Sequence, residues 1–128
     1  MELDDGISSI SLPDSLEWTD EYDWSDVQQD IKQTIGGGLV ISESSVLVGR
    51  PITLVGGDQV WVDKSLLDSL MAKVNVADKT FTLTLADART FTVKFERSSN
   101  PIDAKPVWRK NVQDSNSKYT LTLRLMEV

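Results

Sequence analysis

Strict alternation of apolar and polar residues constrains the fold of this chain more than any other feature of its sequence. Residues 81–85 (FTLTL) and 91–95 (FTVKF) alternate in this way, with a short connection at 86–89 between them. Because successive side chains of a β-strand point to opposite faces, each segment is predicted to be a strand with one apolar face. Together they predict a β-hairpin whose threonine-rich face points outward. The pattern returns at residues 119–126 (YTLTLRLM), which predicts a last strand.

Shorter runs rich in β-branched residues predict additional strands. These runs are residues 39–41, 46–48, 52–55 and 60–62, with Val107 and Trp108 as a further candidate inside the long connection 97–117. The first two runs flank residues 42–45 (SESS), and this arrangement predicts a second hairpin.

One amphipathic helix is predicted near residues 63–74. Asp63 is a favourable N-cap residue. The apolar residues that follow it fall on a single stripe: Leu66, Leu67, Leu70, Met71 and Val74. About seven short strands with one flanking helix predict a mainly β, α+β fold, arranged as a small split β-barrel or a sandwich.

Acidic residues are concentrated at the N-terminus. Residues 1–30 contain ten Asp and Glu and no Lys or Arg, whereas residues 31–128 contain the other ten acids and all 13 bases. The first part therefore carries a charge of −10 and the second a charge of +3. We interpret residues 1–35 as an extended acidic arm, with a mobile leader at 1–15 and a short helix at 25–35. A triple-glycine hinge would join this arm to a domain at 36–128.

The arm also contains large aromatic rings between its carboxylates, a combination typical of a docking segment. Rings supply apolar area to bury, and carboxylates fix the orientation of the partner. The predicted partner-binding residues of the arm are Trp18, Asp20, Glu21, Tyr22, Asp23, Trp24 and Asp26. Folding back onto the body of the same chain uses the same physics, so docking in cis and docking in trans remain equal alternatives.

A smaller basic cluster around an aromatic ring completes the predicted partner-binding set. The basic group comprises Lys105, Arg109, Lys110 and Lys118, with Trp108 and Tyr119 among them, and the predicted partner-binding residues are Trp108, Arg109 and Lys110. Stacking on nucleic-acid bases is one use of such a cluster. However, the sequence pI of about 4.5 argues against direct nucleic-acid binding. Pairing with an acidic segment, of this chain or of a neighbouring one, is the preferred interpretation.

The composition argues against most enzymatic chemistry. The chain contains no cysteine and no histidine, so thiolate nucleophiles, disulfides, Cys/His zinc sites and Ser-His-Asp triads are excluded. The spacing of its carboxylates does not match a calcium loop. We therefore expect neither an enzyme nor a bound cofactor or metal. Apolar runs of a few residues are too short to cross a membrane. The acidic N-terminus is unlike a secretory signal, which predicts synthesis in the cytoplasm.

The order of these segments resembles small structural proteins of the tail tips and baseplates of long-tailed bacteriophages. The resemblance rests on LPDSLEWTDEYDWSDV, GGGLVISES, GRPITLVGGDQVWVDKSLLDSL, FTLTLADARTFTVKFE, PIDAKPVW and YTLTLRLMEV, which together cover nearly the whole chain. It implies a non-enzymatic role in the virion tail, as a ring-forming homo-oligomer that contacts other tail proteins through its loops and its arm. On this hypothesis residues 12–30 dock on a neighbour, and removal of residues 1–30 leaves the remaining domain folded.

Two other functions fit parts of the pattern. An acidic chain of this size can mimic nucleic acid and inhibit a DNA-binding enzyme, although here the acid is confined to one end. Alternatively, an exposed Trp61 or Trp108 could stack on a sugar ring, but burial of these side chains at a sheet edge is the simpler expectation.

Overall fold

The computed structural model describes residues 1–45, 49–109 and 111–128, and most of the secondary structure in these ranges is β. The strands are β1 (Glu2–Asp4), β2 (Ser9–Ser11), β3 (Glu17–Trp18), β4 (Val27–Gln33), β5 (Leu39–Ser45), β6 (Pro51–Val55), β7 (Trp61–Asp63), β8 (Phe81–Thr84), β9 (Thr90–Phe95), β10 (Ile102–Pro106) and β11 (Lys118–Glu127). A 3-10 turn at Gly57–Gln59 and one α-helix, α1 (Lys64–Val74), complete the described elements. The predicted mainly β, α+β class is confirmed.

The last strand, β11, organises the main sheet. It pairs antiparallel with β6 and β7 along one edge, and with β9 and β10 along the other. The main path through the sheet runs β2-β1-β8-β9-β11-β6-β3. The inward side chains of β11, Leu121, Leu123 and Leu125, are almost completely buried. The sheet is open, and the finer prediction of a barrel or a sandwich is not confirmed.

Two elements predicted from periodicity are confirmed. The alternating segments form the antiparallel hairpin β8–β9, in which Leu83 lies opposite Phe91. The predicted helix is α1, with Asp63 at its N-cap position. The helix buries Leu67, Leu70 and Val74 of the predicted stripe in the core, and Leu66 is partly buried against it. Met71 differs from the prediction, because its side chain is exposed, whereas Lys73 is buried.

The N-terminal segment belongs to the core, and the predicted mobile leader is wrong. Strand β1 lies between β2 and β8, with Leu3 opposite both Ile10 and Leu83. Leu3 is completely buried, and Leu12 and Leu16 are buried in the same cluster. The division into an arm at 1–35 and a domain at 36–128 is also wrong, because residues 2–18 contribute three strands to the main sheet.

A charged clamp holds the β1–β2 turn against α1. The carboxylate of Asp5 accepts hydrogen bonds from the backbone N–H groups of Ser8, at 2.7 Å, and Ile7, at 2.9 Å. It also accepts hydrogen bonds from the ammonium groups of Lys73 and Lys79, both at 2.9 Å. The backbone bond from Ser8 and these two ammonium groups hold the pKa of Asp5 well below its usual range. Part of the N-terminal acidity is therefore neutralised within the chain.

The predicted helix at 25–35 is also wrong, because this segment is a strand. Residues of β4 pair in register with β5, with Ile31 directly opposite Ile41. The triple glycine lies in the turn between these two strands rather than in an interdomain hinge. Gly37 adopts a φ of +84° there, a conformation that glycine accepts at little cost. The turn closes with the Thr34 N–H donating to the Gly38 carbonyl at 2.8 Å.

Two smaller strand predictions also differ from the structure. Residues 42–45 continue the strand β5 instead of forming a turn. Residues 46–48, the predicted partner strand, lie outside the described residues. In the long connection before β11, the strand is Ile102–Pro106, and Val107 and Trp108 lie beyond its end.

Truncation of Leu3 should test whether the N-terminal segment is part of the core. Leu3→Ala is expected to lower the free energy of unfolding by about 2–5 kcal/mol, because it leaves a cavity at a fully buried position. Ile7→Ala is the control, since this side chain is 89% exposed and its truncation should change stability little. Urea unfolding of the full chain measures both. A chain lacking residues 1–18 that kept wild-type stability would contradict this description of the fold.

Candidate assembly surface

Trp18 anchors the acidic segment to the body of its own chain. Its ring meets Phe91 edge to face, with the two centroids 5.4 Å apart. The Arg50 guanidinium lies over the ring at 4.6 Å from its centroid, and the Arg89 guanidinium lies at 5.8 Å. Edge-to-face and cation–π contacts are both favourable for a partly buried indole. The predicted docking ring Trp18 is therefore docked in cis.

The carboxylates that follow Trp18 are also bound within the chain. Asp20 accepts hydrogen bonds from the backbone N–H of Thr53, at 3.0 Å, and from its hydroxyl group, at 2.9 Å. Glu21 accepts a hydrogen bond from Arg89 at 2.9 Å, and the Glu21 carbonyl accepts one from Arg50 at 2.7 Å. The hydrogen bond to Glu21 is the main reason why the pKa of Arg89 is raised. For these residues, the structure shows the contacts that the cis alternative describes.

The rest of the predicted acidic set lies on the surface. Tyr22 is 91% exposed, and Asp23 and Asp26 are exposed as well. Trp24 is half-buried, and its indole N–H donates to Asp26 at 3.2 Å. These four residues lie in the connection that leads from β3 into β4. The acidic aromatic segment thus divides into an anchor bound to the sheet and an exposed part.

The predicted basic cluster lies in the connection between β10 and β11. Trp108 is 64% exposed and Arg109 is exposed, whereas Lys110 lies outside the described residues. Among residues 18–26, the ion pair that the structure describes joins Glu21 to Arg89 and not to Arg109. The structure therefore does not bring the predicted acidic and basic sets together.

The largest exposed element is the hairpin β4–β5, which the sequence reasoning missed. Every residue of both strands is exposed, and the two strands pair with each other in a separate two-stranded sheet. In the observed register, one face of the hairpin carries four apolar side chains, each about half exposed: Val27, Ile31, Leu39 and Ile41. The opposite face is mostly polar. We call this apolar side, with its four residues, the hairpin face.

The outer edges of the hairpin have backbone groups available for pairing. In an antiparallel pair, every second pair of opposite residues is joined by backbone hydrogen bonds. Because the Thr34 N–H bonds to the Gly38 carbonyl, the hydrogen-bonded pairs of the hairpin are residues 32 with 40 and 30 with 42. The residues between them, which carry the hairpin face, therefore point their N–H and C=O groups outward. Long exposed edges of this kind are templates for pairing with another chain. One signal could have identified the element: β-branched residues at every fourth position fit a strand as well as a helix.

The described part of the chain offers little for other classes of site. No group of three or more His, Cys, Asp or Glu side chains in it is placed to hold a metal ion. None of the helices in the described ranges is long and apolar enough to cross a membrane. Searches against protein-family models, curated proteins and solved structures find no match to this chain.

Substitution of Asp20 should distinguish the anchored part of the acidic segment from the exposed part. Asp20→Ala leaves the Thr53 N–H and hydroxyl without their acceptor, so it should lower the free energy of unfolding by about 1–3 kcal/mol. Asp23→Ala is the matched control, because Asp23 is exposed and its removal should change stability by less than about 0.5 kcal/mol. Thermal or urea unfolding measures both variants. Equal effects would contradict the anchoring of Asp20.

Proposed function

We propose that this protein is a non-enzymatic structural subunit of a bacteriophage tail tip or baseplate. It assembles as a ring-forming homo-oligomer in contact with other tail proteins. The observation that carries the proposal is the hairpin β4–β5, which presents an apolar face and two outer edges to solvent. The assignment to a phage tail rests on the resemblance of the sequence segments described above. Synthesis in the host cytoplasm followed by incorporation into the virion is part of the same proposal.

The energetics of the hairpin support an assembly role. A two-stranded hairpin that stands alone in water is marginally stable at best. Full burial of a Val, Leu or Ile side chain contributes about 1.5–3 kcal/mol. Covering the half-exposed hairpin face would therefore contribute roughly 3–6 kcal/mol, near the lower end of the entropic cost of association. Backbone pairing at the edges, or contacts elsewhere, must supply the rest. The exposed residues Tyr22 and Trp108, together with the half-buried Trp24, are available for such contacts.

The alternative of a nucleic-acid mimic receives less support. A mimic must present its carboxylates to the protein it inhibits, in the place of phosphates. Asp5, Asp20 and Glu21 instead bond to groups of their own chain. The other acids of the segment therefore form a smaller array of negative charge than the sequence alone indicates.

Polar substitution of the hairpin face should abolish assembly without unfolding the subunit. Ile31 and Ile41 lie directly opposite each other, so Ile31→Lys with Ile41→Glu keeps a favourable cross-strand pair while making the face polar. Gln28→Lys with Ser44→Glu is the matched control, because these residues form an equivalent pair on the other face. Sedimentation velocity over a range of concentrations measures the oligomeric state, and circular dichroism measures the melting temperature.

We expect concentration-dependent oligomers of the wild type and of the control, and monomers of the hairpin-face variant. The melting temperature of the monomeric variant should stay within a few degrees of the wild type, since the hairpin contributes no residue to the core. Assembly of the hairpin-face variant to the same extent as the control would contradict the proposal.

The place of the protein in a virion is tested separately. Mass spectrometry of purified particles, produced by the phage or prophage that encodes this chain, should detect it in several copies per particle. A ring around a tail axis requires several copies, whereas an inhibitor of a host enzyme is not retained. Particles that lack the chain would contradict the tail assignment, but not self-assembly through the hairpin.

A further inference from the structure

An open groove lies between two strands that are far apart in sequence. It has a volume of about 640 Å³ and is lined by residues 9–13 on one side and Trp61–Asp63 on the other. Leu66 and Ser69 of α1 line it as well. Side chains of consecutive strand residues point to opposite faces, so a run of consecutive lining residues means that a strand presents its edge. Both β2 and β7 therefore turn their edges toward this groove.

The backbone groups at these edges are positioned for strand addition. The Leu12 N–H bonds to the Met1 carbonyl and the Asp5 N–H bonds to the Ser8 carbonyl, so the alternating ladder points the N–H and C=O groups of Ser9 and Ser11 away from β1. Throughout the described part of the main sheet, β2 pairs with β1 alone. Pro13 lacks an N–H group, so pairing along this edge ends near Leu12.

The same alternation applies to β7. The Lys64 N–H bonds to the Ser117 carbonyl at 3.0 Å, which points the N–H and C=O groups of Trp61 and the N–H group of Asp63 away from β11. The Asp63 carbonyl is not available for strand addition, because the carbonyl of an N-cap residue accepts the first hydrogen bond of its helix. The Trp61 ring is half exposed at the groove, and its indole N–H donates to the Asp58 carbonyl at 2.9 Å. An exposed ring beside a free edge offers apolar surface to an incoming strand.

We propose that this groove receives the β4 edge of the hairpin from a second copy of the chain, by strand addition. The proposal deepens the proposed function and rests on it. The groove and the β4 edge both present backbone N–H and C=O groups at the edge of a sheet, and these groups need hydrogen-bond partners. The groove is lined by both apolar and polar side chains. The side chains of β4 also alternate, with Val27 and Ile31 on one face and Asp30 and Lys32 on the other.

Charge favours β4 over β5 as the inserted strand. The groove holds one acid and one base, Asp63 and Lys118, which form an ion pair. β4 also carries one acid and one base, Asp30 and Lys32, whereas β5 carries only the acid Glu43. Insertion of β4 therefore brings an acid and a base next to the acid and the base of the groove. Insertion of β5 would add an acid without a base.

The positions of hairpin and groove make insertion within one chain unfavourable. The hairpin returns to the sheet at Gly49, whose N–H bonds to the carbonyl of Glu127 at the C-terminal end of β11. The groove lies at the other end of β11, beside Lys118. These ends are about 30 Å apart, since β11 has ten residues with a rise of about 3.3 Å each. In a head-to-tail contact, the hairpin of one copy meets the groove of the next copy. Such contacts form closed rings when the rotation between successive subunits closes.

Disulfide crosslinking provides a direct test, because the chain has no cysteine of its own. One chain carries Gln29→Cys on β4, and a second, distinguishable chain carries Ser9→Cys or Ser11→Cys at the groove. Residues paired by hydrogen bonds across antiparallel strands have Cα atoms about 5.5 Å apart, within the range that a disulfide spans. Ser98→Cys, on an exposed bend outside the groove, is the matched control.

In a glutathione redox buffer, we expect the hairpin variant to crosslink with one of the groove variants about tenfold more than with the Ser98→Cys control, because docking raises the effective concentration of the two thiols. Equal crosslinking to the control, or mainly Gln29→Cys homodimers, would overturn the groove assignment. Homodimers of that kind would show that hairpins pair with each other. If oligomerisation still depended on the hairpin face, the proposed function would survive and only the groove would fail. A wild type that is monomeric at every concentration would remove the self-assembly on which both rest.

A second pair of variants tests the backbone rather than the side chains of the groove. Ser11→Pro removes an outward N–H group from the free edge of β2, where proline is tolerated, and should give monomers. Ser11→Ala retains this N–H group and should assemble as the wild type does. Oligomers of Ser11→Pro equal to those of Ser11→Ala, with both variants folded by circular dichroism, would overturn strand addition at β2.

Discussion

The main sheet depends on β11 having partners on both edges along its length. Four strands from different parts of the sequence, β6, β7, β9 and β10, each pair in register with this one strand. Its inward leucines lie at the centre of the single core cluster, together with residues of α1 and of the N-terminal strands. A strand with two partners satisfies its backbone groups on both sides. The outermost strands of the main path, β2 and β3, are only three and two residues long.

Partners within the chain account for much of the N-terminal acidity. Asp5 binds two ammonium groups, Asp20 binds Thr53, and Glu21 binds Arg89. The negative charge that stands out in the sequence is thus partly structural, and it holds short strands and a turn against the sheet. Two of the exposed acids, Asp23 and Asp26, lie in the connection that leads into the hairpin, the element proposed to contact other subunits.

Local periodicity predicted the elements whose pattern is complete within a few residues. The hairpin β8–β9, the strand β11 and the helix α1 each show one periodicity over enough residues to distinguish the two-residue period of a strand from the 3.6-residue period of a helix. The N-terminal strands were missed because each has three residues or fewer, too short for any period. The burial of β1 follows from pairing with a strand about 80 residues away, as between Leu3 and Leu83.

The prediction of a helix at residues 25–35, where β4 lies, failed for a related reason. Val27, Ile31 and Ile35 are four residues apart, a spacing that fits one face of a helix and also every second position on one face of a strand. Pairing with β5 decides between the two, and that information is not local. For the candidate site, the sequence identified Trp18 and its neighbouring acids as groups that dock. It could not distinguish docking within the chain from docking to a neighbour, because the contacts are chemically the same.

The hairpin contributes nothing to the core, and this separation has a consequence for how the protein changes over time. If the hairpin makes the proposed contacts, substitutions on it would change which neighbours bind without loss of folding stability, so binding specificity could change independently of the fold. The same independence carries a hazard for the cell that makes the protein. Subunits produced in excess of their neighbours would keep the edges of their hairpin strands exposed. Exposed strand edges promote aggregation, so the amount of subunit made would have to match the number of binding positions.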